Sequence, residues 1–285
     1  MRRSLLQTCT AVLTASGIRS RAAQAESPPR IKWVVFYGPS ADAGLLAVYD
    51  IVILDRMFQG SIPTIANAGA RVCGYLSLGE IKTSEAYYNH LDPAALLASN
   101  PAWPGTRRID VRHQSWKELV LGEMVPALIS QGFAGFLLDT LDTPPYLEQL
   151  DPIRNRGMRQ AAVDLVRAIR TACPGMLVIV NRGYALLSSI AASIDYIVAE
   201  SLLTRPGQQQ PQNYAWNEPA DVALQMALLA PATHRQPVLP ILSLDYWDPA
   251  DTATIREIYV REQQLGHNPY VATRLLDTII PAPLR

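Results

Sequence analysis

Short runs of apolar residues recur along the chain, and segments with helical periodicity separate most of them. The apolar positions are mostly continuous rather than alternating, which is typical of strands covered on both faces in parallel α/β folds. Eight runs predict strands: WVVFYG (33–38), IVILDR (51–56), RVCGYLSLGE (71–80), GFLLD (135–139), LVIVNRG (177–183), YIVAES (196–201), PVLPILSLDY (237–246) and PYVATR (269–274).

The intervening segments carry the periodicity of amphipathic helices. Residues 157–172 place their apolar side chains on one face and stop before a Pro-Gly pair. Ser115 and Glu118 fit a capping box, in which the serine caps an early amide and the glutamate reaches back. A further helix is predicted at residues 249–265. Shorter helices are predicted at residues 60–70, 188–193 and 219–229.

Eight strands that alternate with helices predict a single (β/α)8 TIM barrel. The 285 residues suit this fold, since one barrel usually takes about 250 residues. A doubly wound sheet is the alternative, but GPSADAG at 38–44 is a poor match to its Gly-rich turn. Two long insertions, residues 81–114 and 202–219, follow the C-terminal ends of predicted strands, where barrel enzymes build their sites.

The first residues have the three-part layout of a secretory signal peptide. Two arginines precede an apolar stretch, and Ala23-Gln24-Ala25 is an A-x-A site that predicts cleavage before Glu26. The alternative for residues 1–25 is a disordered extension. We therefore expect a secreted or periplasmic protein with its barrel in residues 26–285. No run reaches about 18 apolar residues, so no membrane span is predicted.

Composition and charge argue against several classes of function. Lys+Arg and Asp+Glu number 25 each, so there is no basic surplus that would indicate a nucleic-acid partner. None of the four histidines lies at a predicted strand end, where a metal-dependent barrel hydrolase needs its ligands. No strand ends in a lysine suited to Schiff-base chemistry. The sequence thus predicts neither a metal nor a cofactor.

Polar residues follow almost every apolar run at the same end. In a barrel these ends lie on one face, so we expect the side chains to converge on one cleft. The residues concerned are Tyr37, Asp55, Arg56, Ser77, Glu80, Asp139, Asp142, Asn181, Arg182, Glu200, Ser201, Asp245, Tyr246, Thr273 and Arg274.

Several carboxylates in one cleft favour hydrolysis of a glycosidic bond. That reaction needs one protonated acid to donate to the leaving oxygen and one ionised acid to act as nucleophile or base. Crowded acids have pKa values pushed apart, which supplies both protonation states at one pH. Asp139 and Glu200 end the fourth and sixth strands, a placement that suits a pair flanking a sugar ring.

Each candidate also has a structural interpretation. Asp139 could cap the helix after the fourth strand. Glu200 could form an ion pair with Arg182. A local salt bridge is the favoured interpretation of Asp55 and Arg56.

Other candidates are open between two or three roles. Glu80 could be a base, a substrate contact or part of an ion pair at the rim. Tyr37 and Tyr246 could be core aromatics, although at strand ends they more often contact a ligand. Tyr214 and Trp216 could stack on sugar faces or hold their own loop in place.

Five motifs carry a resemblance to a known family, and they fall in order on the third to seventh predicted strands. They resemble the PelA-type hydrolase domains of Pel exopolysaccharide systems and, more distantly, the glycoside hydrolase family 114 endo-α-1,4-polygalactosaminidases. The resemblance runs from about Trp33 to Thr273. The motifs are YLSLGE (75–80), GFAGFLLDTLDT (132–143), VNRGY (180–184), VAESL (198–202) and SLDYW (243–247).

The resemblance implies a barrel that cleaves α-1,4-linked galactosamine or N-acetylgalactosamine polysaccharide inside the chain. It implies Asp139 as the nucleophile and Glu200 as the acid/base. Asp142 is the alternative nucleophile if the fourth strand extends further than its pattern predicts. A retaining mechanism is expected, with carboxyl groups about 5–5.5 Å apart. The alternatives are a catalytically silent glycan-binding barrel and a hydrolase of another amino-sugar polymer. The positions implied for substrate binding are Tyr37, Glu80, Asp142, Asn181, Arg182, Asp245 and Tyr246.

Overall fold

Eight parallel strands form the main sheet of the computed structural model, which describes residues 30–207 and 213–283. The predicted signal peptide over residues 1–25 lies outside the described residues. The strands are β1 (Trp33–Phe36), β2 (Ile51–Leu54), β3 (Arg71–Ser77), β4 (Gly135–Asp139), β5 (Leu177–Asn181), β6 (Tyr196–Glu200), β7 (Ile241–Tyr246) and β8 (Asn268–Ala272).

The strand order in the sheet follows the order in the chain, and β1 comes to lie beside β8. At this seam the Trp33 indole N–H donates to the carbonyl of Asn268 at 2.8 Å. The backbone N–H of Ile31 donates to Asn268 Oδ1 at 2.9 Å. The prediction of a single (β/α)8 TIM barrel is confirmed, since a doubly wound sheet would reverse its strand order.

Helices cover the outside of the sheet. The predicted helix at residues 157–172 is confirmed. The capping box predicted at Ser115 is wrong, because His113 caps the helix that begins at Gln114, and its Nδ1 accepts from the N–H of Ser115 at 3.3 Å. A π-helical segment, Val120–Met124, joins the helices at Gln114–Leu119 and Val125–Ser130. The helices are α1 (Ala43–Leu46), α2 (Ile62–Asn67), α3 (Gln114–Leu119), α4 (Val125–Ser130), α5 (Thr143–Leu150), α6 (Met158–Ala172), α7 (Leu187–Ile190), α8 (Pro219–His234) and α9 (Thr252–Gln264).

The two insertions form small sheets of their own. After β3, the strands Glu80–Lys82, Leu96–Ser99 and Thr106–Ile109 pair antiparallel. After β6, Thr204–Pro206 pairs antiparallel with Tyr214–Trp216. Both additions follow C-terminal strand ends, so they build up the walls of one face of the barrel.

The core lies on both sides of the sheet, as the continuous apolar runs predict. Trp116 of α3 is fully buried, and its indole N–H is satisfied by the carbonyl of Leu78 at 3.0 Å. In the part of the chain that the structure describes, no helix has the length and apolar character needed to cross a membrane.

Candidate active site

A cavity of about 370 Å³ opens at the C-terminal ends of the barrel strands. Side chains alternate along a strand, so every second residue points into it. In β6 the inward residues near the mouth are Val198 and Glu200, and in β7 they are Leu244 and Tyr246. Apolar side chains therefore form the floor of the cavity, and polar side chains form its upper wall.

Asn181, the last residue of β5, joins the two predicted catalytic carboxylates. Its Nδ2 donates to Asp139 Oδ1 at 2.9 Å and to Glu200 Oε2 at 2.6 Å. Asp139 ends β4 and Glu200 ends β6, so three neighbouring strands deliver the three groups side by side. The structure thus brings both carboxylates to one point of the cavity.

Asp139 is oriented by neutral donors. Besides Asn181, the Tyr75 hydroxyl donates to its Oδ2 at 2.8 Å. Tyr37 packs edge-on against Tyr75, with ring centroids 5.3 Å apart. Burial, and then the charges of Asp139 and Glu200, raise the pKa of Tyr37, so its hydroxyl stays protonated.

Glu200 accepts a hydrogen bond from a tyrosine of the next strand. The Tyr246 hydroxyl donates to its Oε1 at 2.5 Å. Burial raises the pKa of Glu200, and the nearby negative charge of Asp139 raises it further. Hydrogen bonds from Asn181 and Tyr246 oppose that rise in the pKa. Glu200 is therefore the carboxyl of the pair that the surroundings favour in its protonated form.

The residue after each of these three strands has left-handed backbone. Thr140, Arg182 and Ser201 have φ values of 61°, 52° and 54°. Such a conformation costs a residue other than glycine roughly 1–2 kcal/mol. It turns the chain sharply at the point where Asp139, Asn181 and Glu200 leave their strands, which fixes those side chains at the mouth.

Thr140 has side-chain contacts that hold its unusual conformation. Its Oγ1 accepts the N–H of Gly79 at 2.7 Å and lies 2.8 Å from the Ser77 hydroxyl. A Cβ on Gly79 would lie 2.3 Å from the Thr140 carbonyl, so only glycine allows this approach. The ends of β3 and β4 are locked together next to Asp139.

Asp142 and Arg182 form an ion pair at the rim. Arg182 Nε donates to Asp142 Oδ2 at 3.0 Å, and both side chains line the cavity. Asp142 occupies the N-cap position of α5 without a side-chain cap bond. Arg182 is thus paired with Asp142 rather than with Glu200, so the structural interpretation of Glu200 as an Arg182 partner does not hold.

Glu80 is buried and fully hydrogen-bonded in the cavity wall. Its Oε1 accepts from Asn100 Nδ2 and from Thr143 Oγ1, both at 2.8 Å. Its Oε2 accepts from Thr106 Oγ1 at 3.3 Å. Glu80 therefore connects the small sheet after β3 to the start of α5.

Arg56 reaches across to the loop that follows the first strand of that small sheet. Its guanidinium pairs with Glu85 at 2.8 Å, whereas Asp55 accepts the N–H of Met57 at 2.7 Å. The expected local salt bridge between Asp55 and Arg56 is wrong, because each side chain has a different partner.

Asp245 lies outside the cavity, which does not fit its predicted contact with substrate. It is the neighbour of Tyr246 in β7, and the alternation of the strand turns it to the opposite face. It is 1% exposed, and its Oδ1 accepts the backbone N–H groups of Leu203 and Thr204 at 2.9 and 2.6 Å. Asp245 therefore ties β7 to the segment that follows Glu200.

Asp245 belongs to a buried group of titratable residues between β7 and α9. His267 Nδ1 lies 2.7 Å from Glu262 Oε2, and both side chains are buried. Burial raises the pKa of Glu262 to about 7 and lowers the pKa of His267 to about 4. Burial and the facing carboxyl of Glu262 also raise the pKa of Asp245, so the two carboxyls share one proton. Because Asp245 Oδ1 already accepts two backbone N–H groups, we assign that proton to Glu262, which can donate it to Asp245.

Sequence reasoning missed several residues of the cavity wall. Tyr75 and Thr140 line the cavity and lie inside the quoted motifs. Tyr75 lies two residues before Ser77, the end of β3, and Thr140 follows Asp139, the end of β4. These positions were the signal that could have identified them. Trp103 is 59% exposed at the rim, and only its place in the insertion after β3 pointed to it. Among residues 30–207 and 213–283 no group of His, Cys, Asp and Glu side chains is arranged to hold a metal ion.

Comparison with known proteins places the sequence among carbohydrate-active enzymes. The sequence matches the model of glycoside-hydrolase family GH114 over residues 16–283. It is similar to an uncharacterised protein of Deinococcus radiodurans, with 26% identity over 246 residues, 81% of this chain and 75% of that protein. A match to an uncharacterised protein of Thermotoga maritima has 27% identity over 157 residues, 49% of this chain and 48% of that protein.

Two solved structures share the fold. The glycoside hydrolase domain of PelA from Pseudomonas aeruginosa aligns with a TM-score of 0.79 at 24% identity, covering 89% of this chain and 99% of that domain. Ega3 of Aspergillus fumigatus, solved in complex with galactosamine, aligns with a TM-score of 0.64 at 14% identity, covering 90% and 96%. The resemblance noted in the sequence is confirmed.

Proposed function

Because the chain belongs to glycoside-hydrolase family GH114, we propose that it cleaves α-1,4-linked polymers of galactosamine or N-acetylgalactosamine. That it is a glycoside hydrolase follows from the family. The sugar, the linkage, the endo mode of attack and retention of the anomeric configuration are the proposal. The galactosamine bound to Ega3, which has the same fold, supports an amino sugar as substrate.

The observation that carries the mechanism is the Asn181 bridge between Asp139 and Glu200. Its two hydrogen bonds are 2.9 and 2.6 Å long and start from the same nitrogen. Asp139 Oδ1 and Glu200 Oε2 are therefore at most about 5.5 Å apart. Retaining glycosidases keep their carboxyls about 5–5.5 Å apart, whereas inverting ones leave about 6.5–9.5 Å for a water. The spacing supports retention.

The roles follow from the surroundings of each acid. Glu200 donates its proton to the glycosidic oxygen as the bond to the leaving sugar breaks. Asp139 attacks the anomeric carbon, which gives a covalent glycosyl ester. Glu200, now ionised, takes a proton from water, and the resulting hydroxide displaces Asp139 and restores both groups. The raised pKa of Glu200 keeps the required proton in place before the first step.

The charge of the cavity supports a cationic substrate. A galactosamine unit without its acetyl group carries an ammonium ion, which a surplus of carboxylates attracts. The acids of the wall are Glu80, Glu85, Asp139, Asp142 and Glu200, and the cations are Lys82, Arg182 and Arg274.

The test is incubation of the purified protein with α-1,4-galactosaminoglycan, followed by mass spectrometry of the fragments. We expect the wild type to release oligosaccharides, and Glu200→Gln and Asp139→Asn to lose at least about 10³-fold in rate. Glu257→Gln, an exposed glutamate of α9, is the matched control and should cleave normally. Intact polymer that still binds the wild type would favour a silent barrel or another amino-sugar polymer.

Two further measurements separate the finer parts of the proposal. NMR of the first product should show the α-anomer, and an initial β-anomer would remove the nucleophile role from Asp139. Asp142→Asn tests the alternative nucleophile. Because Asp142 is held by Arg182 at the rim, we expect this variant to keep a substantial part of its rate.

We also propose that the protein acts in the periplasm or outside the cell. The support is the signal-peptide pattern with its A-x-A site before Glu26. N-terminal sequencing of the protein recovered from the producing organism should start at Glu26. A start at Met1 would contradict export through this signal.

A further inference from the structure

A second cavity of about 340 Å³ lies next to the first on the same face of the barrel. Arg274 and Leu275 line both cavities, so the two spaces adjoin at these residues. The other walls come from the loops after β6, β7 and β8, among them Tyr214, Asp248 and Asp277. The side cavity, as we call this space, therefore continues the central one along the surface.

We propose that the side cavity is a distal subsite, which binds an amino sugar of the same polymer beyond the sugars held at Asp139 and Glu200. This inference rests on the proposed function. A polymer cleaved inside its chain must lie across the barrel mouth, and the side cavity receives it where it leaves the central one. Remote binding of this kind supplies energy that can be used at the reacting bond.

The apolar part of the subsite suits a sugar ring. The Tyr214 ring lies against Trp247, with ring centroids 6.2 Å apart, so its position is set before any ligand arrives. Flat aromatic surfaces of this kind bind the C–H faces of sugars. Leu275 is 69% exposed on the ridge between the cavities, where its side chain offers an apolar contact to a chain that crosses.

The charged part of the subsite suits an ammonium group. Asp248 Oδ1 accepts the N–H of Ala250 at 2.9 Å, and Asp277 Oδ1 accepts from the hydroxyl of Thr273 at 3.3 Å. No hydrogen bond between described residues uses Oδ2 of either carboxylate. Arg274 directs Nη1 to the carbonyl of Gly207 at 3.1 Å. The side cavity therefore has two carboxylates and one guanidinium, which is already bonded to Gly207. The net charge of these three groups is negative, which favours a cationic sugar.

The test measures binding of α-1,4-galactosamine oligomers, from the disaccharide upwards, by calorimetry in a Glu200→Gln background. We expect the affinity to rise with length until the side cavity is filled. Adding Asp248→Asn and Asp277→Asn should remove about tenfold of the affinity for long oligomers and leave that for short ones unchanged. Tyr214→Ala removes the aromatic surface and leaves the charges in place. It should also weaken the binding of long oligomers and not that of short ones.

Matched controls are Asp164→Asn and Tyr146→Ala, which change one exposed side chain each away from both cavities. Equal losses at every oligomer length, or no loss at any length, would overturn the subsite. Fully N-acetylated oligomers lack the ammonium group, so Asp248→Asn and Asp277→Asn should not weaken their binding. An equal loss with acetylated oligomers would overturn the recognition of charge.

The same variants with Glu200 restored separate this inference from the proposed function. Cleavage of any oligomer by the wild type reports the activity, and its dependence on length reports the subsite. If the wild type cleaves nothing but binds long oligomers through Asp248 and Asp277, the proposed activity fails and the subsite stands. If no oligomer binds, both fail.

Discussion

Neutral hydrogen-bond donors, rather than cations, orient the two carboxyls at the centre of the site. Asn181 contacts both, Tyr75 contacts Asp139, and Tyr246 contacts Glu200. A cation in direct contact would favour the ionised form of Glu200 strongly and remove the proton that the first step needs. Neutral donors hold the geometry with a smaller effect on the pKa.

We predict that Tyr246→Phe moves the basic limb of the kcat/KM profile to higher pH. The Tyr246 hydroxyl lowers the pKa of Glu200, against burial and the charge of Asp139. Its removal raises that pKa further, so the acid form survives to higher pH. Tyr75→Phe is the matched control, because it removes a donor to Asp139 and should lower kcat without moving this limb. An unmoved limb in Tyr246→Phe would show that it reports another group.

We predict that Ser201→Gly stabilises the protein. Ser201 has a φ of 54°, which glycine adopts without strain. The expected gain in the free energy of unfolding is about 0.5–1 kcal/mol. Glycine removes the backbone strain of the folded state, but its greater freedom in the unfolded chain offsets part of that gain. Urea unfolding measures it. Ser188→Gly, within α7, is the opposite control and should lose about 0.5–1 kcal/mol. Losses in both variants would mean that Ser201 is not strained.

At the scale of elements, β7 serves two layers of the molecule at once. Tyr246 points into the cavity and contacts Glu200, while Asp245 points towards α9 and holds the backbone of Leu203 and Thr204. The same strand therefore positions Glu200 directly and also the segment that follows it. This second attachment requires Asp245 to be buried beside the carboxyl of Glu262, which raises the pKa of Asp245.

We predict that Glu262→Gln removes a pH dependence of stability. The folded protein raises the pKa of Glu262 to about 7. The contribution of Glu262 to the free energy of unfolding is therefore full below its ordinary pKa of about 4.5, and it is lost as pH rises through 7. Glutamine imitates the protonated form, so the variant should match the wild type near pH 5 and exceed it by roughly 2 kcal/mol near pH 8. Urea unfolding at both pH values tests this.

Two controls accompany this measurement. Glu257→Gln changes an exposed glutamate of the same helix and should show no such difference between the pH values. Burial lowers the pKa of His267, which loses its contribution to stability as pH falls towards 4. Because burial is the main cause and glutamine keeps the site filled, we expect this loss in the variant and in the wild type. A Glu262→Gln protein that is less stable than the wild type at both pH values would contradict a protonated Glu262.

At the scale of the whole molecule, one asparagine makes three hydrogen bonds at and beside the seam of the barrel. Asn268 Oδ1 accepts from Ile31, its Nδ2 donates to the carbonyl of Ile241 at 3.1 Å, and its own carbonyl accepts from Trp33. β1 and β8 share no strand ladder within the described residues. These contacts join them instead, together with the N–H of Tyr37, which donates to the carbonyl of Leu276 at 2.6 Å.

We predict that Asn268→Ala lowers the free energy of unfolding by about 2 kcal/mol. The change leaves the Ile31 N–H and the Ile241 carbonyl without their side-chain partner, and each lost bond costs about 1 kcal/mol. Thermal or urea unfolding measures the loss. Asn67→Ala in α2, where the side chain is exposed, should be close to neutral. Equal stabilities of the two variants would show that the seam is held in another way.

The sequence by itself determined the barrel and the general position of its site. Continuous apolar runs and helical stripes are local patterns, and the polar groups at Asp139, Asn181 and Glu200 follow directly from where those runs stop. Parallel strands bring those ends to one face, so the convergence of the three groups needed no further information.

Only the tertiary structure decided which neighbour faces the cavity and which charges pair. Both faces of β7 are buried, so the alternation of Leu242, Leu244 and Tyr246 with Ser243 and Asp245 did not say which set faces the cavity. The pairs Arg182 with Asp142 and Arg56 with Glu85 join separate loops. Their distances depend on how those loops pack, and a local pattern does not carry that information.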